Sequence, residues 1–213
     1  MIDEKVVETR VRIVETTAGP EALGALLLGW LAVLLSLSSL QIYPLGGMVL
    51  AMVFFSGFGF ILVAYMGWKR GELFTLFAFG AIGVFAWAFS ALMMMPRVGL
   101  SDMPTANELG TFMLMFAIIV LSLGVITLKH PCRLLTITIF FASVMFLLVG
   151  LQVLTGSEFL ATVSGWWGLL VGAMAIYLGC AITLNTTFGK MVAPIMIKIP
   201  PEARSEAETS EAL

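Results

Sequence analysis

Six long runs without a single charged side chain dominate this sequence and leave it few ways to fold. They lie at residues 22–40, 46–68, 73–95, 109–128, 134–154 and 159–184. Each is near or above the ~20 residues that a helix needs to cross a hydrocarbon core about 30 Å thick. Barrel strands would be about half as long and would alternate polar with apolar residues. The runs are too many and too evenly spaced for a signal peptide, and the stretch before residue 22 is too long and too acidic for a short positive leader. The remainder of the chain cannot clothe a soluble particle. Of 213 residues, 60% are hydrophobic and 11% charged, against about 25% charged in a soluble domain. A soluble enzyme, a nucleic-acid binder and a disordered regulator are thereby excluded. The expected fold is all-α: a polytopic membrane protein with six transmembrane helices. Residues 1–21 form an N-terminal segment, 22–184 the membrane domain and 185–213 a tail whose acidic, Ser- and Ala-rich end (202–213) reads as disordered. Residues 6–15 mix Val and Ile with charge and receive no assignment.

Ten of the 11 basic residues fall on one side of the membrane: Lys5, Arg10 and Arg12, Lys69 and Arg70, Lys129 and Arg133, and Lys190, Lys198 and Arg204. Arg97 stands alone on the other. The positive-inside rule then places both termini in the cytoplasm of a multi-pass cell-membrane protein.

Three spans per half give the halves opposite directions. Span one opens on Glu21-Ala22-Leu23-Gly24 and span four on Glu108-Leu109-Gly110. Glu72 precedes Gly80 and Gly83 in span three, as Glu158 precedes Gly165 and Gly168 in span six. This pattern suggests an inverted 3+3 repeat, a design that places substrate routes at the repeat interface near the midplane.

The spans hold no nucleophile–base pair and no metal-ligand cluster. His130 reads as a loop histidine, Cys180 as a packing residue and Cys132 as a loop thiol, so no enzyme activity, cofactor or metal is expected. Intramembrane carboxylates mark proton relays, and their absence argues that any proton travels with the substrate. The span hydroxyls bond the preceding turn or a neighbouring helix, or line a pore. Gly165, Gly168, Gly172 and Gly179 share one helix face, which serves close packing or approach of a ligand to bare backbone.

Several blocks together resemble a known family, the acetate uptake transporters, also called succinate–acetate permeases. The fullest runs from Gly165-Trp166-Trp167-Gly168 through Tyr177-Leu178 into Asn185-Thr186-Thr187-Phe188-Gly189-Lys190 and Pro194. Others are Met95-Pro96-Arg97 through Asp102 to Leu109-Gly110, and Lys69-Arg70-Gly71 with Phe74, Phe79 and Gly83. The resemblance covers nearly all of residues 18–194. The family signature at span one, usually Asn-Pro-Ala-Pro-Leu-Gly, reads Gly19-Pro20-Glu21-Ala22-Leu23-Gly24 here. The usual Phe, Tyr and Leu of an apolar constriction fall on Leu28, Ile82, and Ser143 or Ala142, a less aromatic collar. A glutamate often found late in span six is Ile182.

The resemblance implies a hexamer with one route per protomer and a small carboxylate as substrate, acetate above all. It makes Pro20, Leu23, Gly24, Leu28, Phe79, Ile82, Gly83, Leu109, Gly110, Ser143, Trp167 and Tyr177 the candidate pathway residues. An unpaired buried charge costs several kcal/mol even after relaxation. Passage with a proton or as the neutral acid is therefore the expected mechanism. Channel-like anion flow and a urea-type neutral-solute channel are the alternatives, and a scaffold without flux is the remaining class. Beyond substrate, sister protomers and the lipid bilayer, no nucleic-acid partner is expected.

Overall fold

The computed structural model describes residues 19–196. The unassigned stretch 6–15 and the tail end 202–213 lie outside the described residues. Six helices follow one another: α1 (Glu21–Ser39), α2 (Gly47–Lys69), α3 (Leu73–Met94), α4 (Ala106–Thr127), α5 (Arg133–Thr155) and α6 (Glu158–Phe188). A short 3-10 turn, Met95–Val98, follows α3. All six are long and apolar enough to span a membrane, and no strand occurs among the described residues. The expected all-helical, six-span fold is present.

The boundaries differ where local chemistry extends a helix beyond its apolar run. Helix α4 begins at Ala106, three residues before the charge-free stretch, because Thr105 and Glu108 form a capping box. The Glu108 amide donates to Thr105 Oγ1 and the Thr105 amide donates to Glu108 Oε2 at 2.7 Å. That arrangement satisfies two orphan donors. Helix α6 runs four residues past Leu184 and stops at Gly189, whose φ of 62° closes the helix. At 31 residues it is about 46 Å long, longer than the hydrocarbon core it has to cross.

Each helix touches its successor, and α6 returns to α1, so the six close into a ring. The ring is apolar on both surfaces. Phe55 (67% exposed) and Ile118 (68%) represent the outward, lipid-facing set. Phe60, Phe85, Phe116 and Val171 represent the core. Helices apolar all round suit a hydrocarbon solvent.

Without a hydrophobic drive between helices in lipid, close approach and polar contacts hold the seams. Along α1–α6, a Cβ at Gly29 would lie 2.8 Å from the Gly172 carbonyl, and one at Gly172 3.0 Å from that of Gly29. Gly165 and Gly179 meet Leu40 and Leu26 on the same seam. The glycine face of α6 therefore packs helices. Buried hydroxyls follow the same logic. Ser56 and Thr138 donate to carbonyls one turn back, while Ser90 crosses from α3 to the Leu50 carbonyl of α2. Among the described residues no buried side-chain nitrogen or oxygen lacks a partner.

Candidate functional site

Two cavities occupy the inside of the ring, one toward each end. The larger, about 620 Å³, lies toward the end where α1, α3 and α5 begin. Its wall draws on α1, α3, α4, α5 and α6, with Leu28, Ile82 and Ala142 toward the middle of the bundle. The smaller, about 220 Å³, lies toward the opposite end and mixes hydroxyls with apolar groups: Ser36, Ser39, Gln152 and Ser164 beside Leu109 and Phe89. The Ser164 hydroxyl donates to Gln152 Oε1 at 3.0 Å.

Phe146 lines both cavities. Its ring stands edge-on to Phe85 (5.0 Å between centroids) and Phe116 (4.8 Å). Phe85 and Phe116 stack at 4.4 Å, bridging the α3–α4 seam. Such pairings are favoured by the ring quadrupoles. The result is an aromatic cluster in which Phe146 borders both cavities, Phe85 borders the smaller one and Phe116 packs behind them. These three residues escaped the sequence reading. The available signal, a phenylalanine near the middle of each of three spans, is diluted by 16 phenylalanines in the chain.

Of the candidate pathway residues, Leu28, Phe79 and Ile82 meet in the large cavity and Leu109 lines the small one. Gly24 does not reach the cavity wall; it leaves room for the Phe79 ring, which a Cβ there would strike. Pro20 is the buried N-cap of α1, its carbonyl accepting from the Gly24 amide. Leu23 points outward at 42% exposure. Gly83 and Gly110 sit on the α2–α3 and α4–α5 seams, against Ile61 and Leu154. Ser143 turns into the α4–α5 seam and donates to the Ala117 carbonyl. Its neighbour Ala142 is the one that faces Leu28 and Ile82 in the cavity. Trp167 stacks on Phe141 and donates to its carbonyl. Tyr177 donates to the Pro194 carbonyl.

The last contact belongs to a strap formed by the chain after α6. Asn185 Oδ1 accepts from the amides of Val192 and Ala193. Asn185 Nδ2 donates to the Ala193 carbonyl, and the Arg133 amide donates to the Met196 carbonyl. Cys132 Sγ approaches the Ile195 carbonyl at 3.2 Å. Ile195 thereby becomes part of the large cavity's mouth. Asn185→Ala is expected to free the strap and uncover Cys132. In a Cys180→Ser background, a small maleimide should then label Cys132 several-fold faster, and an unchanged rate would show that other contacts hold the strap.

Among the described residues that line the two cavities, charged and titratable groups stand only at the same mouth. His130 stands there with Nδ1 accepting from the Cys132 amide at 3.1 Å, and partial burial holds its imidazole below the ordinary range. Glu72 precedes α3. Burial pushes its carboxyl up, but donors on Arg70, Thr75 and Glu21 outweigh this and keep it below the ordinary range. Arg70 Nε lies 2.6 Å from Glu72 Oε1.

A closed helical ring with a cavity toward each end and an aromatic cluster between them is the architecture of a membrane channel or carrier. The chain belongs to the GPR1/FUN34/yaaH family, whose profile matches residues 7–200. It is 35% identical over 179 residues to the succinate-acetate/proton symporter SatP of Escherichia coli (strain K12), covering 84% of this chain and 95% of that one. It is 33% identical over 195 residues (88% and 95%) to an uncharacterized protein of Methanothermobacter thermautotrophicus. The structure of the bacterial acetate channel SatP matches with a TM-score of 0.81 at 34% identity, covering 84% of this chain and 99% of that one. The named relatives are a symporter and a channel, and this chain is a multi-pass membrane transport protein, not an enzyme.

Proposed function

We propose that the chain carries acetate and related short-chain monocarboxylates across the cell membrane, through one narrow route inside each protomer, with a proton or as the neutral acid. The single observation that carries this reading is the pair of cavities inside the ring, parted by the apolar cluster of Phe85, Phe116 and Phe146. No lysine or arginine lines either cavity among the described residues. A bare carboxylate at that cluster would face the desolvation cost of an unpaired ion. A carboxylic acid with a pKa near 4.3 is about 0.2% neutral at pH 7, so a proton has to come from somewhere. The succinate-acetate symporter and the acetate channel among the relatives support the substrate class. That the structural relative is a channel favours a second reading, passive anion flow. Both termini lie in the cytoplasm on this reading, and the protomers associate as a hexamer by the family resemblance.

The test is labelled-acetate uptake into proteoliposomes at clamped voltage, with protein-free liposomes as control. Protein-dependent uptake that follows an inward proton gradient at zero voltage is expected. Uptake that follows voltage alone would establish the anion channel. No flux of acetate, with flux of urea, would replace the substrate class. Within this reading, Ala142→Leu narrows the large cavity opposite Leu28 and Ile82. It is expected to lower acetate uptake several-fold and succinate uptake further, and equal loss for both acids would place the size filter elsewhere.

A further inference from the structure

Among the described residues eight hydroxyl side chains are buried, and seven of them donate to an oxygen of the protein. Ser36, 4% exposed, is the eighth and has no such partner. A serine inside a helix commonly bonds the carbonyl one turn back, as Ser39 of the same helix does with Leu35. Ser36 does not. No side-chain oxygen enclosed by the described residues lacks a partner, so the Ser36 hydroxyl is not enclosed: it opens on the small cavity that the residue lines. Gly168 makes room for it, since a Cβ there would collide with Ser36 Oγ. The same cavity holds a primary amide. Gln152 Oε1 accepts from the Ser164 hydroxyl at 3.0 Å, and Ser164 is 1% exposed. That bond settles which end of the amide is which, and it leaves the Gln152 N–H groups without a protein acceptor among the described residues. The rest of the wall is largely apolar, with Leu35, Phe89, Met145 and Phe146. No residue lining it is ionisable. Arg97 touches the wall through the backbone of Leu45, whose carbonyl it bonds. Glu108 and Glu158, in the first turns of α4 and α6, do not line it.

We propose that Ser36 and Gln152, with Ser164 holding the amide in place, form a binding site in the small cavity for the uncharged carboxyl group of the transported acid. The inference rests on the carboxylate reading given above. Buried donors and acceptors left unpaired carry a desolvation cost, which an occupant with matching groups removes. A carboxylate only accepts hydrogen bonds and brings a charge that no cation on this wall answers. An uncharged carboxyl offers one C=O and one O–H. The Gln152 amide donates to the first and the Ser36 oxygen accepts from the second, a pairing that uses neutral groups throughout. The short carbon chain then lies against Phe89, Met145 and Phe146. The cavity holds about 220 Å³, several times the roughly 30 Å³ that one water occupies in the liquid, so a solute of a few heavy atoms has room. Water is the competing occupant of a cavity with polar walls, and the two are told apart by an uncharged mimic of the acid.

Acetamide is that mimic: it has the shape of acetic acid, a C=O and an N–H donor, and no charge at any ordinary pH. The test reads labelled-acetate uptake at zero voltage into proteoliposomes bearing full-length wild type, Ser36→Ala or Gln152→Leu, with increasing acetamide. Acetamide should compete with acetate in the wild type, and its half-inhibiting concentration should stay level from acid to alkaline pH. Each substitution should raise that concentration and the KM for acetate several-fold while changing the maximal rate little. Saturation-transfer NMR of acetamide on the purified protein supplies a readout independent of flux, with a signal in wild type that weakens in both variants. Neither change strands a partner: the Ser36 hydroxyl has none in the protein, and Ser164 keeps the Ala161 carbonyl. Ser36→Ala should therefore hold its thermal midpoint in detergent, and a role in folding alone would leave KM unmoved. Acetate uptake indifferent to acetamide, or inhibited equally in wild type and both variants, overturns the site and leaves acetate transport standing. Wild-type protein that moves no acetate overturns the transport reading, and the site with it.

Discussion

Phe146→Ala should merge the two cavities into one continuous passage and weaken the protein at the same time. The Phe146 ring lines both cavities and rests edge-on against Phe85 and Phe116. Truncation removes the wall without supplying anything to fill it, because Phe85 is already committed to stacking on Phe112 and Phe116. Phenylalanine-to-alanine changes in packed interiors cost about 3–5 kcal/mol. The lower end applies here, since the ring borders space that is empty already. Proteoliposomes bearing the variant should admit a neutral solute larger than acetic acid, such as sorbitol, that the wild type excludes. The thermal midpoint in detergent should fall. A variant that still excludes sorbitol would mean that these three rings do not part the cavities.

The aromatic cluster also marks the boundary of what the sequence could reveal. Hydropathy located all six helices to within a few residues, because a charge-free run of about twenty residues has one stable form in lipid. Its errors were local. The Thr105–Glu108 box and the run from Leu184 to Phe188 are polar, and an apolar criterion stops short of both. The lining of the cavities was less legible. Leu28, Phe79 and Ile82 reach the cavity, whereas Gly24, Gly83, Gly110 and Ser143 serve the contacts that hold the ring together. Residue type does not distinguish these roles. A glycine that lets a neighbour's ring approach looks the same in sequence as one that lines a pore. That Glu21 and Glu72 line the mouth of one cavity was hidden for a different reason. The two are 51 positions apart and reach one cavity because α1 and α3 start at the same end of a closed ring. Glu21 reads from sequence as a favourable charge in a first helical turn, which is also true.

Two glycines of equal standing in the sequence should respond in opposite ways to the same substitution, and the contrast tests the architecture directly. Gly29→Ala places a methyl 2.7 Å from the Ile176 amide nitrogen and 2.8 Å from the Gly172 carbonyl. Both are backbone atoms of α6 and neither can turn aside as a side chain would. The α1–α6 seam has to open, and it is the seam that closes the ring. Overpacking of this kind costs about 1–3 kcal/mol, and small residues at helix interfaces are what allow membrane helices to approach closely. Gly80→Ala meets only the Ala64 methyl at 3.7 Å, an ordinary contact. There alanine gains the roughly 0.5–1 kcal/mol by which it exceeds glycine in a helix. Thermal midpoints measured side by side in one detergent should therefore move in opposite directions, down for Gly29→Ala and level or up for Gly80→Ala. Parallel shifts would mean that α1 and α6 do not meet as closely as described, and that the ring is sealed by other contacts.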